Sequence, residues 1–190
     1  MNPLPSPLSV RNRALRAVWQ CTYFVLFRPT PAVMHGWRSM LLRIFGAQVG
    51  RPAYPYPSCK IWAPWNLVMG DHACLGPYVD CYNVARIELG EHATVSQYTY
   101  LCGATHDYTK LTMPLVPKPI RIGARAWVAA GVFVGPGITV EEGAVVGARA
   151  CVVRDVAAWA VVAGNPARVI KRRVLEGAPF DSNKVESPVA

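Results

Sequence analysis

An aliphatic residue returns at every sixth position from Ile122 to Val152: Ile122, Val128, Val134, Val140, Val146 and Val152. A 3.6-residue period would scatter those positions around a helical cylinder, and strict alternation would give no reason for one position in six to be special. The residue after each is mostly small or acidic (Gly123, Ala129, Gly135, Glu141, Gly147). The fourth after each is small or β-branched (Ala126, Val132, Ile138, Ala144, Ala150, Val156). A short strand followed by a tight corner has that period, and three such units close a triangular coil with its aliphatic residues inward. The stretch therefore predicts a hexapeptide parallel β-helix.

The lattice also runs upstream, less regularly. Ile61 and Leu67 are six apart; a slip of two reaches Met69, and the period continues through Leu75, Cys81 and Ile87. A second slip of two reaches Leu89, Val95 and Leu101. The slips are twenty residues apart, one eighteen-residue coil plus a two-residue bulge, so they are expected to stack on the same corner. Between Leu101 and Ile122 the period fails. Cys102-Gly103-Ala104-Thr105-His106-Asp107-Tyr108 leads into a stretch containing Pro114, Pro117 and Pro119. A solenoid accommodates such an insertion as a loop ejected from a corner, here residues 104–119, and ejected loops are where solenoids place function. The remainder from Ile61 to about Val162 is material for about five coils. Gly164-Asn165-Pro166 ends the repeat, Ala167 to Leu175 is expected as a short basic helix, and Asp181 to Ala190 as a polar tail. The expected organisation is a helical leader over 1–50, a β-helix over 51–164, and a basic helix and tail over 165–190.

Charge is distributed unevenly. The net charge of the 190 residues is +9, and no Asp or Glu precedes Asp71, whereas Arg11, Arg13, Arg16, Arg28, Arg38, Arg43, Arg51 and Lys60 do. Arg168, Lys171, Arg172 and Arg173 form a second cluster. Such patches suit phosphates, on nucleic acid, an anionic membrane or a phosphorylated cofactor. No nucleic-acid signature accompanies them, so nucleic acid is not expected as a partner. The six cysteines form no CxxC pair and read as reduced, mostly buried thiols in a cytosolic protein. The longest apolar run, around Tyr23 to Phe27, is too short to span a bilayer, and the start lacks the pattern of a cleaved signal peptide.

In the leader, Leu15, Val18, Trp19 and Leu26 fall at helical spacing from about Val10 to Phe27, and Pro29 and Pro31 stop the run. From about Val33 to Phe45, Met34, Trp37, Leu41, Ile44 and Phe45 share one side, with Arg38 and Arg43 away from it. Both helices are expected to cap the open first coil. A further expectation is that their basic, aromatic-rich surface, residues 10–46, lies against an anionic membrane.

His106 is the candidate catalytic residue. It stands at the root of the ejected loop, directly after a strand and beside an acid, and an imidazole, ordinarily titrating at about 6.5, suits general-base work at neutral pH. His72 and His92 lie twenty residues apart in Gly-Asp-His-Ala and Gly-Glu-His-Ala, at equivalent corners of successive coils. They read as solvated corner residues. A γ-type carbonic anhydrase on the same β-helix would need a close His pair for its zinc, which spacings of 20 and 14 do not supply. No cysteine has a His partner at motif spacing, so a thiol nucleophile is not expected.

From Arg11 to Arg173 the chain resembles the hexapeptide-repeat acyltransferases, and within them the colanic acid biosynthesis acetyltransferases. The resemblance rests on Arg28-Pro29, His35-Gly36-Trp37, Trp65-Asn66-Leu67, Asp80-Cys81-Tyr82-Asn83, Leu101-Cys102, His106-Asp107 and Gly164-Asn165-Pro166-Ala167. It implies a mainly β fold, a left-handed parallel β-helix of about five coils with an N-terminal helical cap, one ejected loop and a short C-terminal helix. It implies a homotrimer with sites in the grooves between subunits, acetyl-CoA as donor, a sugar hydroxyl as acceptor, and no required metal. His106 matches the catalytic histidine. Asn83 and Asp107 match positions near the acceptor, Asn83 standing where related sugar acetyltransferases carry Asp. Trp127 matches an aromatic at the cofactor groove, Ala130 and Ala148 match backbone contacts to the pantetheine arm, and Arg154 and Arg168 match basic positions near the phosphates. The activity so implied is O-acetyl transfer in exopolysaccharide or surface-glycan biosynthesis, in the cytoplasm, with a lipid-linked acceptor placing it at the inner face of the membrane. The alternatives are a γ-carbonic-anhydrase-like metalloenzyme and a non-catalytic β-helix interaction protein.

Overall fold

In the computed structural model, residues 10–175 are described. The period becomes three parallel sheets, each one face of a triangular coil. The first face stacks Gln48–Val49, Leu67–Met69, Ile87–Leu89, Ile120–Ile122 and Thr139–Val140. The second stacks Tyr54–Pro55, Cys74–Leu75, Thr94–Val95, Trp127–Val128, Val145–Val146 and Ala160–Ala163. The third stacks Lys60–Ile61, Asp80–Tyr82, Tyr100–Cys102, Phe133–Val134 and Cys151–Val152. The second residue of each short strand points inward, so Val128, Val134, Val140, Val146 and Val152 are all buried. Five coils are complete, and a partial sixth follows, in which Val156 bridges to Val140. The lattice begins two strands earlier than Ile61, because Val49 and Pro55 already occupy it and complete the first coil with Ile61. Pro55 conceals that rung from an aliphatic search.

The corner between the first and second faces explains the Gly-acid-His-Ala sequences. His72, His92, Arg125, Gly143 and Trp159 all adopt φ between 57° and 67° there, and each is followed by a buried alanine. Their backbone N–H groups climb from coil to coil, His92 to Asp71 O at 2.8 Å, Arg125 to Glu91 O at 2.8 Å and Trp159 to Glu142 O at 2.9 Å. A left-handed residue costs about 1 kcal/mol where a side chain is present, and the repeated ladder offsets it. His72 and His92 stack with ring centroids 4.5 Å apart, as solvated corner residues. Among the described residues no group of three or more His, Cys, Asp or Glu side chains stands together as a metal site.

The two slips do stack. Leu67 pairs with Ile87 and Met69 with Leu89, and after the insertion Ile120 and Ile122 join the same two rows.

The cap forms as expected, but its buried residues match the helical spacing only in part. The first helix, α1, spans Val10–Thr22 and runs into a π-helical turn at Tyr23–Phe27. The second, α2, spans His35–Ile44. Trp19, Tyr23 and Phe27 enter the core of the first coil, and the Trp19 indole donates to Ile61 O at 2.6 Å. Leu15, Val18 and Leu26, which fall at helical spacing with Trp19, are exposed. In the second helical segment the expectation holds only in part: Leu41 is buried and Phe45 packs on the core, but Arg38, Ser39 and Leu42 are buried too, while Met34, Trp37 and Ile44 face out. Arg38 is inside because the turn between the helices presents acceptors. Its guanidinium donates to Pro55 O (2.7 Å), Pro31 O (2.8 Å), Thr30 Oγ1 (2.8 Å) and Ala32 O. No helix among the described residues is long and apolar enough to cross a membrane.

The C-terminal helix is corrected. Arg168–Arg172 is a strand, antiparallel to Ala160–Ala163. The last rung of a solenoid leaves unpaired backbone groups, and a returning segment rich in β-branched residues satisfies them better as a strand than as a helix. Arg173 completes the closure, donating to Arg125 O at 2.9 Å and Gly143 O at 3.0 Å.

Candidate active site

The insertion is a β-hairpin rather than an irregular loop. Ala104–His106 pairs antiparallel with Leu115–Pro117, matching His106 with Leu115, and Lys118 N closes the neck on Gly103 O at 3.0 Å. Gly103 allows the chain to leave the coil, because a Cβ there would stand 2.6 Å from Tyr82 O.

At the end of this hairpin His106 is exposed and held at one nitrogen. Nδ1 lies 2.6 Å from Met113 O. A carbonyl only accepts, so the contact requires the proton on Nδ1 and leaves the Nε2 lone pair free to take a proton. Met113 offers that carbonyl from a left-handed backbone, φ 40°, in a turn closed by its own N–H to Lys110 O at 2.9 Å. A strained residue holding a functional side chain is a familiar use of such conformations. The orienting group left no trace in the sequence, since any residue supplies a carbonyl.

Asp107 faces its own loop. Oδ1 accepts from Thr109 N (3.1 Å) and Thr109 Oγ1 (2.6 Å), and Oδ2 pairs with Lys110 Nζ at 3.2 Å. The Thr109 hydrogen bonds and then Lys110 hold its carboxyl below the usual carboxylate range. In this arrangement it fixes the hairpin tip.

Asn83, expected beside the acceptor, is 0 % exposed. Its amide donates to Ala63 O at 2.6 Å and accepts from Ala63 N at 2.9 Å. Tied at both ends inside the corner and with no exposed surface, it is out of reach of an acceptor in this chain. The position is structural, which corrects the expectation.

The groove residues fall into two groups. Trp127 projects from the second face, 47 % exposed, its indole donating to Ser96 Oγ at 3.0 Å. Ala130 and Ala148 lie on the following corner in successive coils, where Arg149 N bonds Ala130 O at 2.9 Å, and Gly164 carries the column up through Cys151 N at 3.0 Å. Arg154 and Arg168 meet further on, lining a cavity of about 240 Å³ with Val153 and Val169. The His106 hairpin leaves from a different corner, between the third and first faces.

A β-helix of six-residue units presenting a tautomer-fixed histidine on an extruded hairpin defines a hexapeptide-repeat acyltransferase. No protein-family profile matches the sequence, but individual relatives do. Over 157 residues the chain is 41% identical to acetyltransferase WcaF of Escherichia coli (strain K12), assigned by name to colanic acid biosynthesis, covering 83% of this chain and 86% of WcaF. A maltose O-acetyltransferase from Clostridium difficile 630 superposes with a TM-score of 0.77 at 25% identity, over 84% of this chain and 87% of that one. A hexapeptide-repeat acetyltransferase from Vibrio cholerae, solved with acetyl-CoA, shares the fold with a TM-score of 0.77 at 24% identity, over 86% and 90% of the two chains. The chain belongs to the WcaF family of hexapeptide-repeat acetyltransferases.

Proposed function

We propose that this acetyltransferase moves the acetyl group of acetyl-CoA to a sugar hydroxyl, with His106 as general base. The carrying observation is the Nδ1 contact to Met113 O, which leaves Nε2 as the free base. Nε2 takes the hydroxyl proton as that oxygen attacks the thioester carbonyl. A backbone N–H holds the oxyanion, the C–S bond breaks, and the CoA thiolate leaves, with no covalent enzyme intermediate. Trp127 and the backbone at Ala130 and Ala148 line the pantetheine arm, and Arg154 and Arg168 meet the phosphates.

The assembly we propose is a homotrimer. In one chain the hairpin and the Ala130–Ala148 corner belong to different edges of the prism, so a groove between two copies supplies both walls. The acceptor is a carbohydrate of surface-glycan synthesis, lipid-linked, and the protein works in the cytoplasm at the inner face of the membrane. Phe24, Val25, Val33 and Ile44 are exposed on a cap lacking any acidic residue, and these features support contact with anionic lipid.

Acetyl-CoA-dependent transfer to a sugar panel tests the reading. His106→Ala should lower the rate about 10²- to 10⁴-fold with folding and CoA binding kept, and near-wild-type turnover would remove the assignment.

A further inference from the structure

A cavity of about 370 Å³ opens between the cap and the third face of the β-helix. Its volume falls within the range of small-molecule sites, which combine apolar walls with a few convergent polar groups. Trp62 and Tyr82 supply the wall, edge to face at 5.6 Å and 74°. The polar residues are Gln20, Tyr23, Arg28, Lys60 and Asp80.

These groups hold unused hydrogen-bonding capacity. Tyr23 is 5 % exposed, and its buried hydroxyl has no partner in the protein. Asp80 and Lys60 are partners on adjacent rungs, yet no ion pair joins them, and Arg28 spends only its backbone N–H, on Tyr23 O. Burial raises the Asp80 carboxyl, with Lys60 acting against that rise. A buried, unpaired hydroxyl and a half-buried carboxylate are costly unless something completes them.

A suitable ligand must donate to Asp80, accept from Arg28 and Lys60, and lay an apolar surface on Trp62 and Tyr82, while the Tyr23 hydroxyl is too enclosed to be reached directly. A phosphate would set its charge against Asp80 and leave the aromatic wall unused. A sugar ring meets every requirement, since each hydroxyl donates and accepts while its C–H face is apolar. The location also connects to the proposed active site. Tyr82 pairs with Cys102, and its carbonyl accepts from Gly103 N at 2.9 Å, where the His106 hairpin leaves the coil.

We propose that this cavity is a carbohydrate subsite, holding one ring of an oligosaccharide acceptor while another ring is acetylated. It rests on the reading of the protein as a sugar acetyltransferase, and it makes the substrate a glycan chain rather than a free monosaccharide.

Saturation-transfer NMR on the full chain without acetyl-CoA, with maltose, cellobiose and lactose as probes, tests the subsite apart from catalysis. Transfer to at least one disaccharide is expected in wild type and in His106→Ala. It should fall at least several-fold in Asp80→Asn and in Trp62→Ala, with melting temperature identifying any variant that fails to fold. The near-isosteric Asp80→Asn decides alone if Trp62→Ala does not fold. Undiminished transfer in Asp80→Asn, or no transfer to any of the three probes, overturns the subsite. Thioester cleavage by wild type and His106→Ala is scored separately, so a failed catalytic assignment leaves the binding result intact.

Discussion

The helical cap and the coils it covers share one core but fill it differently. In the coils the repeating inward positions of the strands are small or aliphatic and stack on their counterparts a rung away, with Asn83 and Thr99 as the buried polar residues. In the cap, three aromatics and an arginine go inward, while Val18, Phe24, Val25, Trp37 and Ile44 stay outside. A coil buries residues because the repeat forces them inward. A cap helix has only to seal one triangular opening, so what it buries depends on which acceptors and gaps that opening presents.

Breaking the cap at its centre should therefore cost more than breaking a coil. Trp19→Ala removes a fully buried ring and its hydrogen bond to Ile61 O, for about 3–5 kcal/mol. Val140→Ala removes two methyl groups from a middle rung, for about 2 kcal/mol. Denaturant unfolding of both variants sets the order, and the reverse order would make the cap an appendage to the core.

Arg38 sharpens the contrast. Replacing it with Met keeps the bulk but takes the donor away from the carbonyls of Pro31, Ala32 and Pro55. Pro31 and Ala32 are exposed, so water can replace the guanidinium there, and only the Pro55 carbonyl is buried; the loss should be about 1–2 kcal/mol, and melting should fall by a few degrees. An unchanged melting temperature would mean that the buried guanidinium is replaceable by any long side chain.

These differences also mark where the sequence is legible. The coils, the stacked slips at Met69 and Leu89, and the His72–His92 corner follow from spacing, because identical rungs repeat one geometry. Spacing puts Arg38 and Trp37 on the opposite faces from those they occupy, because α2 carries apolar residues all round and the turn that receives the guanidinium lies outside it. Arg168–Arg172 looked helical by composition, while its strand is set by the open edge it closes. His106 was visible as the point where the period stops. Its partner, the Met113 carbonyl, and the closure of Asn83 on Ala63 depend on backbone positions that residue types do not encode.

The outward side of the cap gives a smaller effect on stability. Val25→Ser with Ile44→Ser changes exposed positions, so folding should shift by no more than about 0.5 kcal/mol. Flotation with vesicles containing anionic lipid should show weaker binding than wild type, and neither protein should bind zwitterionic vesicles strongly. Equal flotation of variant and wild type would remove these residues from the contact.

The smallest effect is expected at the hairpin tip and depends on pH. Hydrogen bonds from Thr109, and then Lys110, lower the folded-state value of Asp107 below its unfolded one. The tip's contribution is therefore complete above the ordinary carboxylate value of about 3.9, and it disappears as pH falls through the lower folded-state value. The carboxylate is bonded only within its own turn, to Thr109 and Lys110, which keeps the effect local. Amide signals of Thr109 and Lys110 should hold steady from pH 8 to about 5 and move only under stronger acid. In Asp107→Asn they should show no acid transition of their own. A transition near neutral pH that vanishes in Asp107→Asn would contradict the lowered carboxyl, and with it the view that this side chain fixes the tip rather than serving His106.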